Sequence, residues 1–148
     1  MRAVVQRVKD AKVTTQGRTV GSIDHGLLVF LGIEENDCQT DLQYICDKIT
    51  GLRIFEDAEG KMNRSVVDVG GSVLLISQFT LCGDVRKGRR PSFITAARPE
   101  TAVLLYEQGI EMLRKIVKVE TGEFQAIMDV TLTNDGPVTI LIDSKRTF

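Results

Sequence analysis

Histidine is close to absent from this chain: His25 is the only one among 148 residues. A Ser-His-Asp or Cys-His arrangement would have to be built on it. It stands in Asp24-His25-Gly26, ahead of an apolar run, and reads as a solvent-exposed turn residue. Cysteine is scarce as well. Cys38, Cys46 and Cys82 are odd in number and no pair has Cys-x-x-Cys spacing, so neither a disulfide framework nor a zinc site is expected. His, Cys, Asp and Glu cluster nowhere at metal-ligand spacing. There is no Walker loop and no dinucleotide fingerprint, since Gly70-Gly71 precedes a strand instead of following one. Charge of one sign is lacking: 19 Lys and Arg face 20 Asp and Glu, for a formal net charge of -1. That removes any global nucleic-acid signature, although a local basic patch can act within a neutral total. No apolar run approaches membrane-spanning length, and Met1 to Arg7 has no signal-type core. The expected setting is cytoplasmic and reducing, with no cofactor, metal or membrane.

What is present is the apolar content of an ordinary soluble domain. A hydrophobic fraction of 43% over 148 residues supplies a core without disulfide or metal staples, and residues 1–148 read as a single domain. Val4 to Val8 reads as a strand. Lys12–Thr15 and Thr19-Val20 read as a hairpin around Gln16-Gly17-Arg18. The unbroken run Leu27 to Ile33 predicts a strand covered on both faces, and Val73 to Ile76 repeats the pattern. Thr40 with Gln43 has capping-box spacing, ahead of a helical stripe of Leu42, Ile45, Cys46, Ile49 and Leu52. Asp57–Gly60 is a turn. Cys82 to Arg98 has little periodicity and is long for a structureless loop, which points to function. Pro99 suits the first turn of a second helix, with Val103, Tyr106, Ile110, Leu113 and Val117 as its stripe. Phe124–Leu132 and Val138–Ile142 read as closing strands around an Asn134–Pro137 turn. The order predicts an α+β domain: a mainly antiparallel or mixed β-sheet or barrel with two covering helices.

Two patches carry the chemistry. Ser77-Gln78-Phe79-Thr80-Leu81 sets hydroxyls, an amide and an aromatic ring at the end of a buried strand. If the strand stays regular, Gln78 and Thr80 share one face and Ser77 and Phe79 the other. Thr80 has no evident base to take its proton, so its hydroxyl, or nearby amides, are better suited to hold a substrate group than to attack it. Asn134-Asp135-Gly136-Pro137 has turn chemistry, and Gly136 permits close approach by a ligand or another backbone. The Gly136-Pro137 bond is ordinarily trans, since roughly 5–6% of such bonds are cis; a rigid pair there could act as a steric ruler. The run Arg86, Lys87, Arg89 and Arg90 is placed to meet a phosphate backbone without reading base sequence.

Taken with Met1–Val8, Phe55–Asn63, Arg90-Pro91-Ser92-Phe93 and Gly122-Glu123-Phe124, these motifs run the length of the chain and resemble those of the D-aminoacyl-tRNA deacylase family. The resemblance implies hydrolysis of the ester joining a D-amino acid to the terminal adenosine of tRNA, and removal of glycine, including glycine mischarged on tRNA-Ala. It implies a homodimer with active sites at the subunit interface. Gly136 and Pro137, as a cis pair, would enter the partner's site, hold the α-amino group and exclude an L side chain, with Arg7 helping to fix the pair. Ser77, Gln78, Phe79 and Thr80 would line the pocket, with backbone N–H groups facing the ester carbonyl. Phe124 and Met128 would lie near the terminal adenosine, where some relatives carry Gly in place of Gln125.

Either Thr80 attacks the ester, or the protein positions water while the terminal 2′-hydroxyl of the tRNA assists. The missing base favours the second. Two other readings use the same residues: a tRNA-binding module without hydrolysis, and a domain that binds free D-amino acids. The intact motifs weigh against both.

Overall fold

The computed structural model describes all 148 residues, and its first element is longer than periodicity predicts. Strand β1 runs unbroken from Arg2 to Thr15, where the pattern suggested two strands. Lys9 and Asp10 are exposed and look like a break, but the ladder continues because β1 changes partners there. Its first half pairs antiparallel with β3 (Gly26–Gly32), from Arg2↔Gly32 to Val8↔Gly26. Its second half pairs with β2 (Arg18–Ile23). Gln16 and Gly17 join β1 to β2 with φ of 48° and 75°, the left-handed pair that matches hairpin twist.

Helix α1 (Gln39–Gly51) buries Leu42, Ile45, Cys46 and Ile49, as its stripe predicts. The cap differs from expectation: Cys38, not Thr40, precedes the first turn, and Asp41 closes the box by accepting from the Cys38 amide at 2.9 Å. A short hairpin, β4 (Phe55–Glu56) and β5 (Met62–Arg64), encloses the Asp57–Gly60 turn. Strand β6 (Ser72–Ser77) runs parallel to β3. Helix α2 (Pro99–Arg114) starts at Pro99 and buries Tyr106, Gly109, Ile110 and Leu113. A strand that the periodicity missed, β7 (Lys118–Thr121), pairs parallel to β6.

The last strand corrects the sequence reading most. β8 (Asp129–Asp143) is one 15-residue strand along β1, not two strands around a turn, and Phe124–Met128 lies outside it. Between Gln6↔Thr139 and Val8↔Asn134 the register shifts, so Arg7 of β1 faces the four residues Asp135 to Val138. Asn-Asp-Gly-Pro is a bulge within a strand.

The sheet is therefore mixed, in the order β2-β1-β3-β6-β7 with β8 on β1. It curls until β2 meets β7, closely enough that a Cβ on Gly21 would lie 2.4 Å from the Thr121 carbonyl. Alternate residues of the central strands feed two cores. Leu27, Val29, Leu31, Val73 and Leu75 join a cluster containing the buried residues of α1 and α2. Leu28, Leu74 and Ile76 join Val8, Ala11, Val13 and Ile23 on the other face. No helix is long and apolar enough to cross a membrane.

The α1 cap makes a pH dependence. Burial pushes the Asp41 carboxyl up, but the Ser144 hydroxyl and the amide and thiol of Cys38 outweigh it and hold the pKa at about 2, against 3.8. The folded value is the lower one, so the contribution is present above about pH 4 and is lost as pH falls toward 2. Urea midpoints should drop through that window, and Asp41→Asn should flatten the drop while lowering the midpoint at pH 5.

Candidate active site

The end of β6 makes the turn on which the site is built. Its last ladder pair is Leu31↔Ser77, and Gln78 N still donates to Leu31 O at 2.8 Å. The chain then leaves the sheet as a 3₁₀ turn, Phe79–Cys82. The strand alternation expected for Gln78 and Thr80 is thus replaced by a tighter coil. Gly32 permits it, since a Cβ there would lie 2.9 Å from Leu81 Cβ and 3.0 Å from Gln78 O. Leu81 N donates to Gln78 O (3.3 Å) and Gly83 N to Thr80 O (3.0 Å). The Phe79 and Thr80 amides are not the donors of these two bonds. Both residues are exposed. The Gln78 side-chain amide donates to the Thr80 hydroxyl oxygen.

Beside the turn lies a cavity of about 630 Å³. Ser77, Gln78 and Phe79 form one wall, Phe93 and the Ala96–Pro99 stretch leading into α2 a second, and Phe124 to Ala126 with Met128 a third. Phe79 and Phe93 meet edge to face, centroids 5.1 Å apart, and Phe124 tilts against the Tyr106 ring at 5.8 Å. Five of the sequence-predicted residues are therefore brought together: Ser77, Gln78, Phe79, Phe124 and Met128. Gln125 joins them with φ at 63°, a left-handed conformation that favours glycine. Arg98, which the sequence reading passed over, also lines the cavity. Its place immediately before a helix-starting proline was the available signal. Arg98 is the sole ionisable side chain of the lining; His, Cys, Asp, Glu and Lys are absent from it. His25 is exposed, packs edge-on against Phe55 at 5.0 Å, and lines a different pocket with Arg7 and Asp135.

Gly136 and Pro137 do not line the cavity of their own chain. They sit exposed in the β8 bulge, their peptide bond is cis, and Gly136 has φ of 123°. The bulge is tied down on both sides. Asn134 Oδ1 accepts from Val138 N at 3.1 Å, and Asn134 Nδ2 donates to Thr139 Oγ1 at 3.1 Å. The buried Arg7 donates from Nε to Asp135 O (3.2 Å) and from Nη1 to Ile54 O (2.6 Å), and its Nε lies 3.4 Å from Asp135 Oδ2. A Cβ on Gly136 would meet Arg7 Nη2 at 3.0 Å and Val138 Cγ2 at 2.8 Å.

The basic run occupies a loop closed at its base by paired Asp84–Ser92 backbone bonds of 2.8 and 2.9 Å. Asp84 holds the Arg86 guanidinium in a two-pronged pair at 2.9 and 2.7 Å, and that guanidinium holds the Asp84 carboxyl down to about 2. Lys87, Arg89 and Arg90 are exposed. None of the four lines the cavity.

A family model described as D-Tyr-tRNA(Tyr) deacylase matches residues 4–143. The chain is 60% identical over 149 residues to a D-aminoacyl-tRNA deacylase of Desulfitobacterium hafniense and 58% identical to one of Thermotoga petrophila, covering 100% of each chain. Among solved structures it superposes on the c-Myc DNA Unwinding Element Binding Protein with a TM-score of 0.92 and 43% identity, over 97% of this chain and 98% of that one. A probable eukaryotic D-amino acid tRNA deacylase, at 18% identity and a TM-score of 0.81, shares the fold.

Proposed function

This chain belongs to the D-Tyr-tRNA(Tyr) deacylase family, and from that premise we propose that it hydrolyses the ester of D-aminoacyl-tRNA, releasing the D-amino acid and free tRNA. The observation that carries the reading is the pair of 3₁₀-turn amides, Phe79 and Thr80, beside an aromatic cavity whose lining offers no imidazole, carboxylate, thiol or amine to act as a base. Two converging N–H donors suit the oxyanion that forms as an ester carbonyl is attacked. Phe124 and Met128 offer an apolar face to the terminal adenine. Arg86, Lys87, Arg89 and Arg90 would touch the tRNA backbone, with Arg86 the weakest contributor because Asp84 already pairs with it.

The chiral filter in this reading is Gly136-Pro137 of a second subunit. Within one chain the pair is exposed, pinned by Arg7 and Asn134, and outside the cavity, so a homodimer with sites at the interface would complete each pocket. Carbonyls held rigidly there would take the α-amino group and leave no space for an L side chain. Glycine would pass, having no side chain to exclude, which extends the substrates to glycyl-tRNA mischarged on tRNA-Ala. The setting is cytoplasmic.

The chemical step is water attack assisted by the terminal 2′-hydroxyl of the tRNA. Thr80 is the alternative nucleophile, but its oxygen accepts from the Gln78 amide, which is a donor and no base, and the cavity lining offers no carboxylate or imidazole to take its proton. The test is hydrolysis of D-Tyr-tRNA against L-Tyr-tRNA by the purified protein, with and without a chelator. The expected result is loss of the D ester alone, unaffected by chelation. Survival of both esters would overturn the reading in favour of a binding module.

A further inference from the structure

We propose that Arg2 is a positioning residue for the turn that carries the Phe79 and Thr80 amides. The proposal rests on the hydrolytic reading above. Two backbone bonds, of 3.3 and 3.0 Å, tie the ends of the turn. Its Leu81 carbonyl points away from the coil and accepts from Arg2 Nη1 at 2.9 Å, across 79 residues of sequence. A guanidinium makes this bond stronger than a neutral donor would.

Arg2 is itself clamped. Its Nη2 lies 3.4 Å from Glu34 Oε1 and its Nε 3.9 Å from Asp143 Oδ2, while Nε, though buried, has no hydrogen-bond acceptor. Glu34 is buried and also pairs with Lys145. The same stretch of backbone builds the opposite wall of the cavity: Glu35 N donates to Thr95 O and Ala97 N to Ile33 O, both at 2.9 Å. One charged cluster thus sets the turn against the wall that faces it. Arg2 touches no cavity atom and acts through Leu81, so its loss would tilt the two donor amides without removing any binding surface. Misplacement by a fraction of an ångström to an ångström is enough to slow an oriented reaction severely.

The experiment compares the wild type with Arg2→Gln and Arg2→Lys in single-turnover hydrolysis of D-Tyr-tRNA, per folded molecule, alongside Tm and amide ¹H–¹⁵N spectra. Arg2→Gln should lose between about tenfold and a hundredfold in maximal rate, with half-saturation changed by less than about twofold. The Phe79 and Thr80 resonances should shift while those of α1 stay. Arg2→Lys, which keeps the charge and one donor, should recover part of the rate. An unchanged rate per folded molecule in Arg2→Gln overturns the proposal. So does a change confined to half-saturation, which would make Arg2 a tRNA contact. Should Arg2→Gln fail to fold, Arg2→Met, which keeps the apolar stem and removes every donor, carries the same comparison. A wild type without hydrolysis would defeat the hydrolytic reading alone, and the Phe79 and Thr80 resonances would still decide whether Arg2 holds the turn.

Discussion

D-Tyr-tRNA ending in 2′-deoxyadenosine should be hydrolysed at least about a hundredfold more slowly than the natural ester, the range expected when a positioned proton-transfer group is lost. Thr80→Ala should slow the natural ester by only about fivefold, the equivalent of one hydrogen bond at roughly 1 kcal/mol. The contrast follows from the lining of the cavity. Arg98 is its one ionisable group, and a guanidinium is a donor without acceptor capacity, so it cannot serve as a base toward water or Thr80. The Thr80 oxygen already accepts from the Gln78 amide. On the proposed reading the protein supplies donors in fixed places, and its contribution would be orientation and oxyanion stabilisation. In that proposal the proton acceptor comes with the substrate, and the vicinal hydroxyl is the oxygen next to the ester. Single-turnover rates on the two tRNAs and the two proteins decide the matter. A Thr80→Ala loss as large as that from removing the 2′-hydroxyl, or a deoxy substrate that reacts normally, would return the nucleophile to Thr80.

The largest stability effect is expected at Gly26. A Cβ there would lie 1.9 Å from the Ser72 carbonyl oxygen, 2.7 Å from its nitrogen and 2.8 Å from its carbonyl carbon. Every obstacle is backbone, so no side chain can swing aside. Gly26 and Ser72 are the first pair of the parallel β3–β6 ladder, whose far end delivers Ser77 to the site. Gly26→Ala must therefore part the two central strands or bend β3. A cost above about 3 kcal/mol is expected, with Tm falling by roughly 10 °C or more in a domain of this size. Gly51→Ala is the control: nothing lies within 4 Å of its Cβ, at the last residue of α1, and stability should change by less than about 1 kcal/mol. Thermal unfolding of the two variants side by side tests the argument. A Gly26→Ala protein as stable as the control would mean that β3 and β6 part without loss.

Much is legible in the sequence because it is local. Leu27 to Ile33 and Val73 to Ile76 are too apolar for a one-sided strand, and both are buried on two faces. The stripes of α1 and α2, apart from Leu52 and Val117, which lie beyond the helix ends, and the helix start at Pro99 follow from spacing and from the missing proline N–H. The Ser77–Thr80 motif announced a site at a strand end, and the cavity opens there.

The rest depends on which backbone lies alongside. Lys9 and Asp10 are exposed, yet β1 continues because β2 takes over from β3 on one edge while β8 stays paired on the other, skipping Lys9. Asn134–Pro137 has the chemistry of a turn, and only the β1 ladder resuming at Thr139 and the Arg7 side chain make it a bulge within a strand. The chain leaves the sheet after Ser77 because glycine at position 32 lets the next turn settle on β3, a contact across more than 40 residues. Arg98 and Gln125 reach the cavity from segments with no periodicity to read. Residue chemistry by itself determined the helices, the doubly covered strands and the motif that marks the site. Partner choice and close backbone approach, which are properties of pairs distant in sequence, decided the 3₁₀ turn, the bulge and the cavity between them.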